Sequence, residues 1–170
     1  MIQRIGIPQE YWDQVVVPDY SDFTTKIDDL RVAFHCAISL FHMHDWIYMT
    51  HKSVIDQSFQ FKNRKTSALT PVSDERQFAD AIEDGHPDFE LIREIANTAK
   101  HLSRKNSPSH AANTVVKGTG WGEGSWGQGP FGGAPRVMLI GRFGQPDIEF
   151  FDIAHSVFNM WPSLRSKHNW

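Results

Sequence analysis

The sequence predicts a mainly α-helical protein, an antiparallel helical bundle with a small antiparallel β-sheet or hairpin near the C-terminus. Two long segments, residues 28–51 and 87–103, carry apolar residues at helical spacing. Two strand-like segments, residues 136–142 and 148–151, flank a turn-forming sequence. The length of 170 residues suits one domain over residues 1–170 and allows a sizeable buried core.

The N-terminal half is predicted to contain one long helix between less regular segments. Residues 1–20 are expected to be extended or irregular, with a short strand at residues 14–17 that Pro18 ends. The first long helix begins near residue 22 or 28, with acidic residues at its N-terminus, and ends near residue 51. Residues 52–72 are ambiguous between a short helix and a loop.

Terminal residues mark the remaining helices. Ser73 can cap the N-terminus of a short helix that Gly85 ends, and Pro87 suits the first turn of the second long helix. Asp152 can cap a last helix that Pro162 kinks or breaks. These predicted helices cover residues 74–83, 87–103 and 152–167.

A glycine-rich stretch separates the strand-like segments of the C-terminal third. Residues 118–133 hold eight of the twelve glycines, a composition that forms neither a stable helix nor a central strand. A short strand is predicted before it at residues 114–117, and the hairpin follows it. We therefore expect a Gly/Trp-rich loop at residues 118–133.

Composition and charge exclude several classes of protein. The net charge is −3 with histidine neutral, so no global basic field favours nucleic acid. Cys36 is the single cysteine, cannot form an internal disulfide and suits a reducing compartment. No apolar run reaches roughly 18 residues, and the N-terminus lacks the apolar segment of a signal peptide. We expect a soluble, cytoplasmic protein with no membrane partner.

The first long helix is apolar around most of its circumference yet carries four histidines. Such a helix is buried, so some imidazoles are expected in the core. A turn of about 100° per residue places His44 within the apolar arc, Asp45 at its edge, and His35 and His42 on another side. His44 is therefore either a core histidine hydrogen-bonded to a partner helix or, with Asp45, part of a catalytic site.

Metal binding within this helix is not favoured by the spacing of its histidines. Ligands on one helix must be three or four residues apart, and no two of these histidines are. His42 and Asp45 are three apart, but two ligands are too few. We expect no metal site and no cofactor.

The second long helix has an apolar face and an opposite polar face that carries Arg93, Asn97, Lys100 and His101. Asn97 and His101 are four residues apart and therefore neighbours on the helix surface. Imidazole can act as a general acid or base near neutral pH, and Arg and Lys can stabilise charge on phosphorus. The polar face is therefore either a solvated surface or a site that binds and cleaves a phosphodiester.

Segments 40–46 (Leu-Phe-His-Met-His-Asp-Trp) and 95–102 (Ile-Ala-Asn-Thr-Ala-Lys-His-Leu) resemble a family of small, uncharacterised bacterial and phage proteins. The resemblance covers most of residues 14–165. More distantly, the helical pair is similar to HEPN domains, many of which are metal-independent ribonucleases of toxin–antitoxin and phage-defence systems and are often dimeric.

The resemblance to HEPN domains implies an arginine followed, after four to six residues, by a histidine. Seven residues separate Arg93 from His101, and five separate Arg104 from His110. The resemblance thus implies a ribonuclease or phage-defence component that uses Arg93, Asn97 and His101, or alternatively Arg104 and His110. The candidate catalytic residues from both helices are Arg93, Asn97, Lys100, His101, His44 and Asp45.

The Gly/Trp-rich loop supplies the candidate binding residues Trp121, Trp126 and Phe131. Large rings are enriched where interfaces carry most of their energy, and they can also stack on bases. Their partner is a second subunit, a nucleobase or the protein's own core. We expect a homo-oligomer, with RNA as a further candidate partner. Two functions stay open: the HEPN-like ribonuclease and a non-catalytic interaction or oligomerisation module.

Overall fold

A computed structural model describes residues 5–98, 111–119, 134–142 and 145–170, and it confirms a mainly helical fold with small antiparallel sheets. The helices are α1 (Pro8–Tyr11), a π-helical turn (Trp12–Val16), α2 (Val17–Thr25), α3 (Leu30–Ser58), α4 (Glu75–Gly85), α5 (Pro87–Thr98) and α6 (Phe150–His168). The strands are β1 (Gln60–Lys62), β2 (Leu69–Pro71), β3 (Ala111–Thr119), β4 (Ala134–Arg142) and β5 (Gln145–Glu149).

The N-terminal segment is helical, so the predicted strand at residues 14–17 was wrong. Trp12, Val16 and Phe23 are buried, and their spacing matches the helical repeat rather than the alternation of a strand. Burial against the core therefore outweighs the β-propensity of the valines. Pro18 explains the π-helical turn before it, because in a regular α-helix its ring would clash with the carbonyl four residues earlier.

Helix α3 is the centre of the fold and contacts α1, α2, α4, α5 and α6. Asp29 caps it, because its carboxylate accepts hydrogen bonds from the backbone N–H groups of Arg31 (2.9 Å) and Val32 (3.2 Å). The helix runs past the predicted end to Ser58, with one non-helical residue at His51 (φ −119°, ψ 24°). The prediction that this helix lies inside the protein is confirmed.

The ambiguous region 52–72 comprises the end of α3 and the antiparallel β1–β2 hairpin. The next helix, α4, is capped by Asp74 rather than by Ser73, since the Asp74 carboxylate accepts a hydrogen bond from the backbone N–H of Gln77 at 2.7 Å. Gly85 ends α4 and Pro87 opens α5 as predicted. The predicted part of the second long helix beyond Thr98 lies outside the described residues.

The C-terminal sheet has the antiparallel order β3–β4–β5, which confirms the predicted sheet near the C-terminus. Strand β5 leads directly into α6, so the N-cap is Glu149 and not Asp152, and the Glu149 side chain makes no cap hydrogen bond. Helix α6 continues through Pro162. It ends at Asn169, which adopts the left-handed conformation (φ 56°) that commonly closes helices.

Large rings fill the space between α3, α5 and α6. Phe89 on α5 lies with its ring centroid 5.8 Å from that of Phe41 and 5.6 Å from that of Trp161 on α6. The indole N–H of Trp161 donates a hydrogen bond to the carbonyl of Leu40 at 3.0 Å, so this buried polar group is satisfied. In the described part of the chain, no helix has both the length and the apolarity to cross a membrane.

The three-helix contact gives a first prediction. Phe89→Ala should lower the free energy of unfolding by about 3–5 kcal/mol, because it removes a fully buried ring and leaves a cavity. Urea denaturation followed by circular dichroism measures this loss. Leu69→Ala is the control, since Leu69 is 68% exposed and its loss should cost less than about 0.5 kcal/mol. Equal stabilities of the two variants would contradict the packing described.

Candidate functional site

His44 is a buried histidine whose hydrogen bonds lie within α3. It is 3% exposed, its Nδ1 is 2.5 Å from the carbonyl oxygen of Phe41, and its Nε2 is 3.1 Å from Oδ1 of Asp45. Both partners lie on α3, whereas the expectation from the sequence was a hydrogen bond to a neighbouring helix. Because both are acceptors, the two ring nitrogens can donate to them together only when the imidazole carries two protons.

Asp45 joins His44 to a second imidazole. Its Oδ2 is 2.6 Å from Nδ1 of His42, so the carboxylate bridges two rings with one oxygen each. The side chains of His42 and Asp45 are 29% and 37% exposed. This arrangement, here named the His42–Asp45–His44 cluster, therefore runs from the core to the surface.

The electrostatics of the cluster keep Asp45 ionised. Burial by itself would raise the pKa of Asp45. Hydrogen bonds from His42 and His44, and the charge that these rings carry when protonated, outweigh burial and hold the pKa of Asp45 well below its ordinary value of 3.8. The cluster therefore contains a carboxylate that stays charged at neutral pH beside a partly exposed imidazole.

The cluster reaches the surface along one narrow face of α3, here named the open strip. Because each residue of an α-helix is rotated by about 100° from the one before it, seven side chains of α3 fall within an arc of about 100°. All seven are exposed or half-buried, whereas most other residues of this part of α3 are buried. The seven residues of the open strip are Arg31, His35, Ile38, His42, Asp45, Trp46 and Met49.

Arg93 belongs to an ion-pair network between α4 and α5. Its Nη1 lies 2.6 Å from Oδ1 of Asp80 and 2.7 Å from Oε1 of Glu83, whose side chain is only 6% exposed. Burial by itself would lower the pKa of Arg93, but the hydrogen bonds to Glu83 and Asp80 raise it above its ordinary value. A phosphate that binds Arg93 would have to displace these carboxylates. The catalytic role of Arg93 therefore stays a prediction.

A polar cleft of about 280 Å³ lies beside this network. Its lining comprises two cations and four carboxylates: Lys62, Arg64, Asp80, Glu83, Asp84 and Glu90. The excess of carboxylates disfavours a phosphate in the cleft. Over the described ranges, no group of three or more His, Cys, Asp or Glu side chains is arranged to hold a metal ion.

Four of the predicted site residues lie in the described part of the chain, His44 and Asp45 on α3 and Arg93 and Asn97 on α5. In the first turn of α5, the ring centroid of Phe89 lies 6.1 Å from that of His44. Asn97 is half-buried and eight residues further along, about 12 Å down the helix axis. The remaining predicted site residues lie outside the described residues: Lys100, His101, Arg104, His110, Trp121, Trp126 and Phe131.

His42 is a candidate site residue that the sequence interpretation did not include. The signal was present, because His42 and Asp45 are three residues apart and so adjacent on a helix. That spacing was weighed only for metal binding, where two ligands are too few. No known family model, curated protein or solved structure matches this chain.

The bridging carboxylate predicts an acid-dependent loss of stability. Because the pKa of Asp45 is lower in the folded chain than in the unfolded chain, its stabilisation is present above the unfolded value and is lost as the pH falls through the folded value. The unfolding free energies of wild type and Asp45→Asn should therefore differ at pH 6 and converge as the pH is lowered below about 4.

Urea denaturation between about pH 3 and pH 7 at constant ionic strength tests this pH dependence. Asp28→Asn is the matched control, since Asp28 is an exposed carboxylate just before α3 and its loss should change stability by less than about 0.5 kcal/mol. A gap between wild type and Asp45→Asn that does not change with pH would contradict the lowered pKa.

The network of Arg93 gives a further prediction. Arg93→Met should lower the free energy of unfolding by about 3 kcal/mol, because among the described residues it leaves the buried Glu83 carboxylate with Arg64 alone, which is 74% exposed, as a cationic partner. Adding Glu83→Gln to Arg93→Met should recover part of that loss. A double-mutant cycle in urea measures the coupling, and additive effects of the two substitutions would contradict a structural role for this pair.

Proposed function

We propose that this protein is a metal-independent ribonuclease in which His42 acts as the general acid–base and Asp45 orients it. The observation that carries the proposal is the 2.6 Å hydrogen bond between Nδ1 of His42 and Oδ2 of Asp45, on the open strip of α3. A carboxylate at Nδ1 keeps a proton on that nitrogen, so Nε2 is the basic atom. It also stabilises the imidazolium that forms when Nε2 takes a proton.

His44 supports this arrangement from the core side. It binds the second oxygen of Asp45, so the plane of the carboxylate is restrained at both of its oxygens. All three residues lie within one turn of α3, and side chains on a rigid helix are held in place better than side chains on a loop. The dyad of His42 and Asp45 is therefore positioned before any substrate binds.

The reaction that suits this dyad is cleavage of RNA through its own 2′-hydroxyl. His42 takes the proton of the 2′-hydroxyl, and the 2′ oxygen attacks the adjacent phosphorus. The bond from phosphorus to the 5′ oxygen then breaks, and that oxygen leaves with a proton from an acid or from water. The products are a 2′,3′-cyclic phosphate and a 5′-hydroxyl, and no metal ion takes part.

The resemblance to HEPN domains supports the same class of reaction and suggests a component of phage defence in a bacterial cytoplasm, acting as a dimer. Asn97, Lys100 and His101 remain the proposed residues of the second helix. Lys100 and His101 are suited to binding the phosphate and to protonating the leaving oxygen. Arg93 is proposed with less support, because two carboxylates already occupy its guanidinium.

A second candidate is a non-catalytic interaction or oligomerisation module. The exposure of Met49 favours it, since this apolar side chain is 75% exposed on the open strip. Apolar side chains at such positions suit contact with a second copy of the chain. In this case the ion pairs of Arg93 are purely structural and the His42–Asp45–His44 cluster stabilises α3.

The ribonuclease proposal is tested with labelled RNA in the presence of EDTA. His42→Gln should lower the cleavage rate by about 10²- to 10⁴-fold, because it removes the general base. Asp45→Asn should also lower it by about 10²-fold or more, because the imidazole loses its orienting carboxylate. His35→Gln is the matched control, since this exposed histidine lies on the open strip two turns earlier, and its rate should equal that of wild type.

Three measurements make the result decisive. Melting temperatures show whether a variant is folded, mass spectrometry identifies the cyclic phosphate, and sedimentation equilibrium gives the oligomeric state. Wild-type protein that cleaves no RNA in a varied panel, but sediments as a stable oligomer, would leave the interaction module. Cleavage by His42→Gln at the wild-type rate would exclude His42 as the base.

A further inference from the structure

We propose that Trp46 is the stacking platform for a nucleobase beside the bond on which His42 acts, which makes single-stranded RNA the substrate class. This inference rests on the proposed ribonuclease function and adds to it the residue that holds the substrate. It is argued from the position of Trp46, the packing behind it, and the charge of the open strip around it.

Trp46 lies next to the His42–Asp45–His44 cluster. It follows His42 by four residues, and side chains at this spacing are neighbours on a helix surface, with Cβ atoms about 5–6 Å apart. Trp46 is half-buried and belongs to the open strip. A nucleotide whose 2′-hydroxyl faces His42 therefore has its own base, or the base next to it, within reach of the indole.

One face of the Trp46 ring is packed against the protein. Tyr11 on α1 stacks against it, with ring centroids 5.0 Å apart and an interplanar angle of 16°. The hydroxyl of Tyr11 donates a hydrogen bond to the carbonyl of Ser39 at 3.3 Å, which fixes the tyrosine to the same helix. Because this packing already restricts the side chain of Trp46, the side chain loses little conformational entropy when a base stacks on it.

The open strip around Trp46 carries little negative charge of its own. Asp45 is the only carboxylate among the seven residues of the open strip, and two imidazoles already bind it. Met49, one turn beyond Trp46, extends the apolar surface on which a base can rest, whereas Arg31 lies at the far end of the strip and is paired with Asp29 at 3.8 Å. The cleft beside α4 and α5 differs from the open strip, because four carboxylates line it.

Stacking on Trp46 requires an unpaired base. In a duplex the faces of the bases are covered by their neighbours in the stack, and the deep groove of an RNA helix keeps side chains away from them. Unpaired bases can be splayed out and stacked on aromatic side chains, with little dependence on base identity. The geometry therefore points to single strands or unpaired loops and predicts weak sequence preference at this position.

The test measures binding separately from cleavage. The probe is a fluorescein-labelled single-stranded RNA of about ten nucleotides, with 2′-fluoro groups in place of its 2′-hydroxyls so that no strand can be cut. Trp46→Ala should raise its Kd by about 5- to 150-fold, the value of one stacked base. Trp46→Phe should stay within about threefold of wild type, because a smaller ring still stacks.

Two controls separate stacking from general damage. Phe158→Ala removes a ring on α6 that is also half-buried and stacked, 4.0 Å from Tyr20, and it should leave the Kd unchanged. His35→Gln, which changes an exposed histidine about three turns before Trp46 on the open strip, should also bind the probe like wild type. Annealing the complementary strand to the probe should weaken binding to wild type.

The outcomes distinguish this inference from the proposed function. If wild type cleaves RNA but Trp46→Ala binds the probe and cleaves as wild type does, the platform is excluded and the ribonuclease stands. Equal affinity of wild type for the single strand and the duplex also excludes the platform. If wild type neither binds the probe nor cleaves RNA, both proposals are overturned.

Discussion

The fold depends on the enclosure of α3. Most of the circumference of this helix is apolar, so the other helices must cover that part to remove it from water. Enclosure draws His44 into the core, and a buried imidazole must find hydrogen-bond partners there. It finds both on its own helix, in the carbonyl of Phe41 and the carboxylate of Asp45. Burial of His44 thereby fixes Asp45, whose other oxygen is left to orient His42.

How far the sequence predicts this fold depends on how local each signal is. The apolar period of α3 and the terminal signals of α4 and α5 are visible within a few residues, and these helices were found. The helices before α3 were missed, because three consecutive valines indicate a strand until burial of Val16 and Phe23 against the core is known. Tertiary packing decides such segments, and no short stretch of sequence shows it.

One part of the candidate site could be predicted from the sequence and another part could not. The adjacency of His42 and Asp45 follows from helix geometry alone and was available from the sequence. The ion pairing of Arg93 could not be predicted from the sequence, because its partners Asp80 and Glu83 lie on another helix. Only the packing of α4 on α5 brings these carboxylates within 2.7 Å of Arg93. A polar helix face therefore indicates where charged groups lie, but not whether neighbouring helices already neutralise them.

Two polar networks border the described core, and they are satisfied in different ways that bear on function. Arg93 is bound by carboxylates from a second helix and mostly covered, so its charge is used for stability. In the His42–Asp45–His44 cluster, by contrast, the carboxylate and its two imidazoles lie within one turn of α3. Such a network keeps the carboxylate paired while the imidazole of His42 stays partly exposed. That combination of a fixed carboxylate and a partly exposed imidazole suits acid–base chemistry, and it lies on the face of residues 31–49 that the other described helices cover least.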